Sequence, residues 1–287
     1  MSGPSRLVAR MIKATTAIDW AYRRFDRMRA LLVTAYASDE ALAAYNDLTY
    51  GAAPVYDAHA SQFRERLFNW EEDFVARVFP AAPSRVLVGG AGGGREAFQL
   101  AGRGYDVTAF EPSPHLARSM ADRARASGAA VSALLGRYES LPVLQDIGNG
   151  ERIDLTLTRP FDASMLGWSS FSHIRDTRTR IAALRRFAAL TDGPVVVSFF
   201  STPPAKPAAP SSLRRVMNRL GRRSDGDAFT VHIGFYHLSS PGEVAREVAA
   251  AGLQIVMESY DDSDGHWPWV AVARPQIAAR LAATSRD

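Results

Sequence analysis

Five of the six residues from 89 to 94 are glycine, and this cluster limits the fold of the chain more than any other stretch. A short apolar run at 85–88 precedes it, and a helix-forming stretch follows it. Such an order predicts a strand, a tight loop and then a helix. The spacing of Gly90, Gly92 and Gly94 lets the backbone adopt positive φ angles and approach a ligand closely. We therefore expect a cofactor loop, with a tight βα turn that binds nothing as the alternative.

A second strand is predicted at 105–110, and Glu111 follows it directly. A carboxylate at the end of such a strand can accept hydrogen bonds from both hydroxyls of a ribose. The glycines together with this acid are stronger evidence for a nucleoside-containing ligand than the glycines alone.

These residues give the chain a resemblance to the class I S-adenosylmethionine-dependent methyltransferases. Gly90, Gly92 and Gly94 match the first motif of that family, and Glu111 matches its ribose-binding position. The nicotinamide-binding pattern G-x-G-x-x-G fits less well, because only one residue separates the last two glycines of this chain. One departure is Val88, since the family usually has an acidic residue there. The hydrogen bonds of that acid must come from elsewhere.

The resemblance covers residues 83–274 and implies an α/β, Rossmann-like domain. Its sheet is expected to have seven mostly parallel strands, helices on both faces and an antiparallel terminal hairpin. The predicted strands are 85–88, 105–110, 131–135, 161–166, 195–200, 253–258 and 269–273. Extended backbone is also indicated at 153–158, without a clear place in the sheet. A helix at 114–126 begins after the predicted cap Ser113 and ends before Gly128.

The family resemblance also implies S-adenosylmethionine as the cofactor. Residues expected to contact it are Gly90, Ala91, Gly92, Gly94, Glu111, Pro112, Tyr138, Gly167 and Trp168. Tyr138 is expected against the adenine, and Glu139 is the alternative contact for that ring.

Segments outside the sheet have less specific patterns. Residues 1–82 are expected to form a helical extension or lid, with helices at 5–45 and 58–78. Such helices can cover the substrate, form a dimer contact, pack on the flank of the domain or bind a membrane surface. Prolines and cationic side chains predict a mobile insertion at 202–227, and 275–287 is a helical or frayed tail.

The composition is that of one large soluble domain with an appendage, at 287 residues with 47% hydrophobic and 22% charged residues. The absence of cysteine excludes disulfides, thiolate metal sites and cysteine nucleophiles. No apolar run is long enough to cross a membrane, so we expect a cytoplasmic protein. The net charge of +4 comes from two basic stretches without interleaved aromatic residues, which makes a nucleic-acid partner a weak hypothesis.

Methyl transfer mainly requires that the nucleophile be held close to the methyl group and in line with the departing sulfur. His173 follows the fourth predicted strand, so it is the candidate general base or substrate contact. Residues expected to face the substrate are Tyr56, His59, Trp168, His173, His232 and His237. The histidine spacing matches no metal-binding motif, and we expect no metal centre.

The first functional hypothesis is methyl transfer to an oxygen or nitrogen of a small molecule in secondary metabolism. A methyltransferase of RNA or protein that uses the basic insertion is the second hypothesis. A cofactor-binding protein that does not methylate is the third, because Val88 and Arg137 stand at positions where the family is usually acidic.

Overall fold

The computed structural model describes residues 3–202, 215–216, 224–260 and 267–284. In these ranges the helices are α1 Gly3–Tyr36, α2 Asp39–Gly51, α3 Asn69–Val78, α4 Arg95–Ala101, α5 Pro114–Ser127, α6 Thr177–Leu190, α7 Pro241–Ala250 and α8 Pro275–Thr284. The strands are β1 Arg85–Gly89, β2 Asp106–Glu111, β3 Val131–Leu135, β4 Val143–Asp146, β5 Arg152–Asp154, β6 Ala163–Leu166, β7 Val195–Ser198, β8 Asp227–Thr230, β9 Gly234–His237, β10 Gln254–Ser259 and β11 Trp269–Ala273.

Nine of the described strands form one sheet in the order β10-β11-β7-β6-β1-β2-β3-β4-β5. The five central strands, from β7 to β3 in this order, are parallel to one another. β11 is antiparallel to β7 and β10 is antiparallel to β11, which confirms the expected terminal hairpin. The chain reverses its direction across the sheet between β1 and β6. The carboxyl ends of these two strands therefore frame the crevice where open α/β sheets bind ligands.

The sheet has two strands more than the seven predicted. β4 and β5 form an antiparallel hairpin that extends the edge beside β3. Its turn forms because Asp146 Oδ1 accepts hydrogen bonds from the amides of Gly148 (2.7 Å) and Asn149 (3.2 Å). Extended backbone is expected at 153–158, but only residues 153 and 154 belong to a strand, β5. A 3₁₀ turn follows at Leu155–Leu157.

The central strands are buried on both faces, as their continuous apolar runs predict. Leu87 of β1 lies in a core cluster with Phe187 of α6 and Val248 of α7. The next residue, Val88, lies on the opposite face in a cluster with Trp70 of α3. Successive side chains of a strand point to opposite faces, so helices cover both sides of the sheet. Val88 therefore serves as a core residue at the position where the family usually has an acid.

The N-terminal helices lie on a separate hairpin formed by β8 and β9. Leu42 of α2 packs against Phe229 and Phe235 of this hairpin. Asn46 of α2 binds the backbone of β9 as a neighbouring strand would, because its Oδ1 accepts from the amide of Phe235 (2.8 Å) and its Nδ2 donates to the carbonyl of the same residue (2.9 Å). A Cβ on Gly234 would lie 2.0 Å from Asn46 Oδ1, so this contact requires glycine there. The hairpin thus holds α2 in place.

The N-terminal helices have different limits from those predicted. The helix expected at 5–45 is divided into α1 and α2 at Ser38, whose Oγ accepts a hydrogen bond from the amide of Ala41 (3.1 Å) and caps α2. The helix expected from 58 begins only at Asn69. Residues before it turn across the glycine loop, where a Cβ on Gly93 would lie 2.2 Å from the carbonyl oxygen of Tyr56. This close passage replaces the first turns of the expected helix.

Most of the insertion expected at 202–227 lies outside the described residues, as does the end of the tail after residue 284. The described part of the tail is helical, as α8. In the ranges given above, no helix is both long and apolar enough to cross a membrane.

Candidate active site

A cavity of about 420 Å³ opens at the carboxyl ends of β1, β2 and β6, where the strand order predicts a ligand crevice. Residues at the ends of these three strands or just after them, including Gly90, Glu111 and Trp168, line it. α2 and the turns at 52–63 cover it on the N-terminal side. The volume lies within the range of small-molecule sites in proteins.

The glycine loop forms one wall of the cavity through Gly90, Ala91 and Gly92. Both glycines have positive φ angles, +66° at Gly90 and +56° at Gly92. A Cβ on Gly92 would have only Tyr56 nearby, at 3.9 Å, so the space in front of this residue is open. The loop therefore offers bare backbone to a ligand, as its sequence predicts.

Two of the predicted cofactor contacts, Gly94 and Gly167, do not line the cavity. A Cβ on Gly94 would lie 2.8 Å from Cγ of Met120, so this glycine lets α4 and α5 approach each other. A Cβ on Gly167 would lie 2.6 Å from the carbonyl oxygen of Gly90, so here glycine lets the end of β6 approach the loop. The structure gives both residues a packing role next to the site.

Glu111 links the loop to the next helix. Its Oε2 accepts a hydrogen bond from the amide of Gly92 (2.9 Å), and its Oε1 accepts one from the amide of Ser113 (2.9 Å). The side chain lines the cavity although the residue is only 6% exposed. Burial raises the pKa of Glu111 to about 7, and the two amides oppose that rise. Each carboxylate oxygen keeps a further lone pair for a donor in the cavity.

The side of the cavity beyond Glu111 is lined by Pro112, Arg137, Tyr138 and Glu139. Arg137 forms an ion pair with Asp47 of α2, which ties α2 to the loop after β3. The Tyr138 hydroxyl donates to Oγ of Ser170 (2.5 Å). Tyr138 is mostly buried and lies under the glycine loop, so it supports the cavity wall more than it projects into it.

Another part of the cavity is an aromatic chamber, which we define by Tyr50, Tyr56, Trp168, Phe200 and Trp267. The rings of Tyr50 and Tyr56 meet edge to face with centroids 5.0 Å apart. Trp168 lies 6.4 Å from Tyr56 and 5.8 Å from Trp267. Such a chamber favours an apolar or cationic group over a strongly hydrated anion.

His173 lies at this chamber and is held by hydrogen bonds on both ring nitrogens. Nδ1 is 2.7 Å from the carbonyl oxygen of Phe235, and Nε2 is 2.9 Å from the hydroxyl of Tyr50. Nδ1 also lies 3.1 Å from Asn46 Nδ2, an amide nitrogen that can only donate. The carbonyl oxygen of Phe235 can only accept and is closer, which favours the ring proton on Nδ1. Nε2 then accepts the hydrogen bond of the Tyr50 hydroxyl.

The two side chains are half-buried at the cavity, and this environment shifts their pKa values. Burial lowers the pKa of His173 to about 4, against the opposing effect of the Phe235 carbonyl. Burial also raises the pKa of Tyr50, and the nearby Tyr56 and Glu111 add to this rise. Both side chains are therefore neutral near pH 7. His173 is an acceptor for Tyr50, and the tyrosine oxygen keeps lone pairs for a donor in the chamber.

The other three candidate histidines are not at the cavity. His59 and His232 are exposed and do not line it. His237 is buried, with Nδ1 2.9 Å from Asp227 Oδ1 and Nε2 2.9 Å from Glu243 Oε1. It joins the β8–β9 hairpin to α7. The sequence predicts substrate contacts for His59, in the expected lid, and for His232 and His237, before a predicted helix. In the structure, the turns at 52–63 direct His59 away from the cavity, and the β8–β9 hairpin does the same for His232 and His237.

Arg64 is a cavity residue that sequence reasoning missed. Its guanidinium lies over the ring of Phe68, 5.2 Å from the centroid, and 5.9 Å from that of Trp168. The neighbouring Arg95 is instead neutralised, because Nη2 binds Glu71 Oε1 (2.6 Å) and Glu96 Oε1 (2.7 Å). No local motif marks Arg64, because only the turns across the glycine loop bring it to the cavity.

Acidic and histidine side chains do not assemble into a metal site in the described ranges, where no group of three or more could hold an ion.

Comparison with known proteins identifies the fold. No protein-family model matches the sequence, and no curated protein sequence matches it significantly. Among solved structures, the CcbJ methyltransferase from Streptomyces caelestis is similar at a TM-score of 0.54 and 19% identity, over 79% of this chain and 98% of CcbJ. The glycopeptide N-methyltransferase MtfA, solved with S-adenosylmethionine, is similar at a TM-score of 0.53 and 18% identity, over 76% of this chain and 98% of MtfA. The chain therefore has the fold of the class I S-adenosylmethionine-dependent methyltransferases.

Proposed function

We propose that the protein binds S-adenosylmethionine in this cavity and transfers its methyl group to an oxygen or nitrogen of a small molecule. The observation that carries the proposal is the position of Glu111. Its buried carboxylate is anchored on the amides of Gly92 and Ser113 and lies beside open space at the glycine loop. A loop without side chains next to a fixed acceptor fits the ribose and the chain of this cofactor.

In this proposal each part of the cavity holds one part of the cofactor. Glu111 would accept hydrogen bonds from the ribose hydroxyls, and Pro112 with Glu139 would lie on the adenine side. The backbone at Gly90 and Gly92 would face the methionine end, where Arg64 offers a cation for a carboxylate. When bound, S-adenosylmethionine supplies an electrophilic methyl group on a cationic sulfur.

The acceptor would lie in the aromatic chamber. The Tyr50 hydroxyl donates to His173, so its oxygen can accept an N–H or O–H of the acceptor and orient the nucleophilic atom. We assign His173 the role of positioning Tyr50. Its low pKa disfavours a direct role as a general base at neutral pH.

A small molecule is preferred as the acceptor because the cavity, at about 420 Å³, has the size of a small-molecule site. α2 and the turns at 52–63 cover it, so we assign the N-terminal extension the role of a lid. The similarity to CcbJ and to the N-methyltransferase MtfA supports methylation but does not identify the acceptor atom.

The proposal is tested by calorimetry with S-adenosylmethionine and its demethylated product, followed by incubation with a library of hydroxylated and amine compounds. We expect binding of both nucleosides and a product one methylene unit heavier by mass spectrometry. Failure of both nucleosides to bind would refute the cofactor assignment. Binding without any methylated product, with RNA and protein acceptors also tested, would favour non-methylating chemistry.

A further inference from the structure

Helix α1 carries a regular apolar repeat that the cavity does not use. Its apolar residues alternate with spacings of four and three positions: Leu7, Met11, Ala14, Ile18, Ala21, Phe25, Met28 and Leu32. This is the heptad pattern of a two-stranded coiled coil, maintained over nearly four heptads. We call these eight residues the seam.

The seam is exposed along its whole length. Ile18 is 68% exposed and Phe25 is 60% exposed. The helix is attached to the body by another side of its last turns, where Ala30 and Val33 pack on the hairpin cluster. The carbonyl of Thr34 accepts a hydrogen bond from Arg175 in the same region (2.8 Å). No described residue covers the seam.

A long helix with such a surface needs a partner. Helices derive most of their stability from the packing of an apolar face, and exposed apolar patches of this kind mark interaction sites. We propose that the seam binds the seam of a second copy of this chain, as an antiparallel two-stranded coiled coil. This inference is independent of the proposed methyl transfer.

The sizes of the seam residues determine the antiparallel direction. In an antiparallel pair, Ile18 lies opposite Ala21 of the second copy, and Phe25 lies opposite Ala14. Each small side chain of the seam therefore packs against a large one. The same register places Leu7 opposite Leu32 at both ends. A parallel pair would instead place Phe25 against Phe25 and Ala21 against Ala21. Overpacked layers of the coiled coil would then alternate with layers that leave a cavity.

The charges beside the seam favour the same direction. Arg10 and Arg24 flank it on one side, and Arg29 flanks it on the other. In a parallel pair, Arg24 would face Arg29 of the second copy, which is a like-charge contact. In the antiparallel register, Arg10 and Arg24 face Leu31 and Ala17 of the second copy, so no two arginines are opposed.

A membrane surface is the competing partner for an apolar and basic helix. The seam has two apolar positions per heptad, but further apolar side chains are exposed outside it at Val8, Ile12, Trp20 and Tyr22. The same helix carries Asp19 and Asp26, which an anionic lipid surface would repel. The heptad spacing of the seam, together with these acids, therefore favours a helix partner over lipid.

The first experiment measures the mass of the full chain by sedimentation over a range of concentrations. We expect a dimer for the wild type and a dissociation constant at least about 100-fold higher for Ile18→Asp, since two charges would enter the seam of each dimer. The matched control is Ile12→Asp, because Ile12 is 60% exposed on the same helix but lies outside the seam. We expect this variant to remain dimeric with the wild-type thermal unfolding midpoint. Ile18→Asp should still unfold cooperatively, but with a lower midpoint that no longer depends on protein concentration.

The second experiment determines the direction of the pair, using the absence of natural cysteines. A mixture of Leu7→Cys and Leu32→Cys chains should form a disulfide between unlike chains under oxidation. Leu7→Cys alone should not crosslink, because the two cysteines would be about 38 Å apart in the antiparallel register.

Several results would overturn the proposal. A wild type that stays monomeric at all concentrations would do so, whether or not it binds vesicles of phosphatidylglycerol and phosphatidylcholine. Equal weakening by Ile12→Asp and Ile18→Asp would exclude the seam as the contact. Efficient crosslinking of Leu7→Cys alone would exclude the antiparallel direction.

Discussion

The hydroxyl of Tyr50 lies 2.9 Å from Nε2 of His173, although the two residues are 123 positions apart in the chain. The carbonyl of Phe235 binds the other ring nitrogen, so the tautomer of His173 makes Nε2 an acceptor. His173 therefore acts on the aromatic chamber through Tyr50. We therefore expect Tyr50 to contact an acceptor substrate, and His173 to affect that substrate only through Tyr50.

Removal of the Tyr50 hydroxyl should impair methyl transfer. We expect Tyr50→Phe to lower kcat/KM about tenfold to 100-fold, because a buried donor on the acceptor would lose its partner. His173→Ala should have a similar or smaller effect, since it only releases the tyrosine hydroxyl. Steady-state kinetics with the identified acceptor would measure both effects, and His232→Ala, at an exposed position away from the cavity, is the control.

The pH profile separates positioning from proton removal. Because the pKa of His173 is lowered to about 4, we expect no titration of this residue in the kcat profile near its ordinary value of 6.5. A limb near 6.5 that disappears in His173→Ala would show that this histidine removes the proton, contrary to the assigned role.

The affinity for S-adenosylmethionine should increase with pH through the titration of Glu111. Its pKa is raised to about 7, and only the ionised carboxylate can accept from both ribose hydroxyls. Binding at pH 6 should therefore be about tenfold weaker than the plateau reached at higher pH. Glu111→Ala should cost more than ~1 kcal/mol of binding free energy and flatten this dependence. Calorimetry that finds unchanged affinity for the variant would remove the acid from the site.

A single methyl group on the glycine loop should block the cofactor. Gly92→Ala places a Cβ in the open space of the cavity, whereas Gly128→Ala adds the same group at a similar positive φ with nothing within 4 Å. Both variants should lose a similar amount of stability, about 1–2 kcal/mol, from the strained backbone. Only Gly92→Ala should lose affinity for S-adenosylmethionine, as calorimetry would show. Equal affinities for the two variants would place the cofactor elsewhere.

His237 should make the stability of the protein sensitive to alkaline pH. Burial lowers the pKa of His237, but its hydrogen bonds with Asp227 and Glu243 outweigh this, and the pKa is raised above 6.5. The folded state therefore binds the proton more tightly than the unfolded state. This contribution is fully present below pH 6.5 and is lost as the pH rises through the folded pKa.

The measurement is the thermal unfolding midpoint of wild type and His237→Asn as the pH is raised from below 6.5. We expect the difference between the two proteins to shrink as the pH rises. His232→Asn, at an exposed position in the same segment, should follow the wild type. A constant difference at all pH values would show that His237 stabilises the fold as a neutral residue.

Much of the fold could be predicted because its signals are local. The seven main strands are short apolar runs between turn residues, and helix α5 begins at Ser113 and ends before Gly128 as its caps predict. The hairpin of β4 and β5 was missed because its strands are short and its alternation weak. The segment 58–68 is predicted as the start of a helix that the prolines after residue 78 end, but tertiary contact with Gly93 turns the chain there.

The sequence by itself determined the glycine loop and the acid at the end of β2, because both depend on backbone conformation and on the short spacing between β1 and β2. Only the tertiary structure decided which side chains meet at the chamber. Tyr50, His173 and Phe235 come from three distant segments, and their contacts arise from the packing of α2 on the β8–β9 hairpin. His237 illustrates the same limit: local pattern made it a candidate ligand, but burial beside Asp227 and Glu243 makes it a structural residue. Long-range packing has no periodic signature in the sequence, so it could not be derived from the order of residues alone.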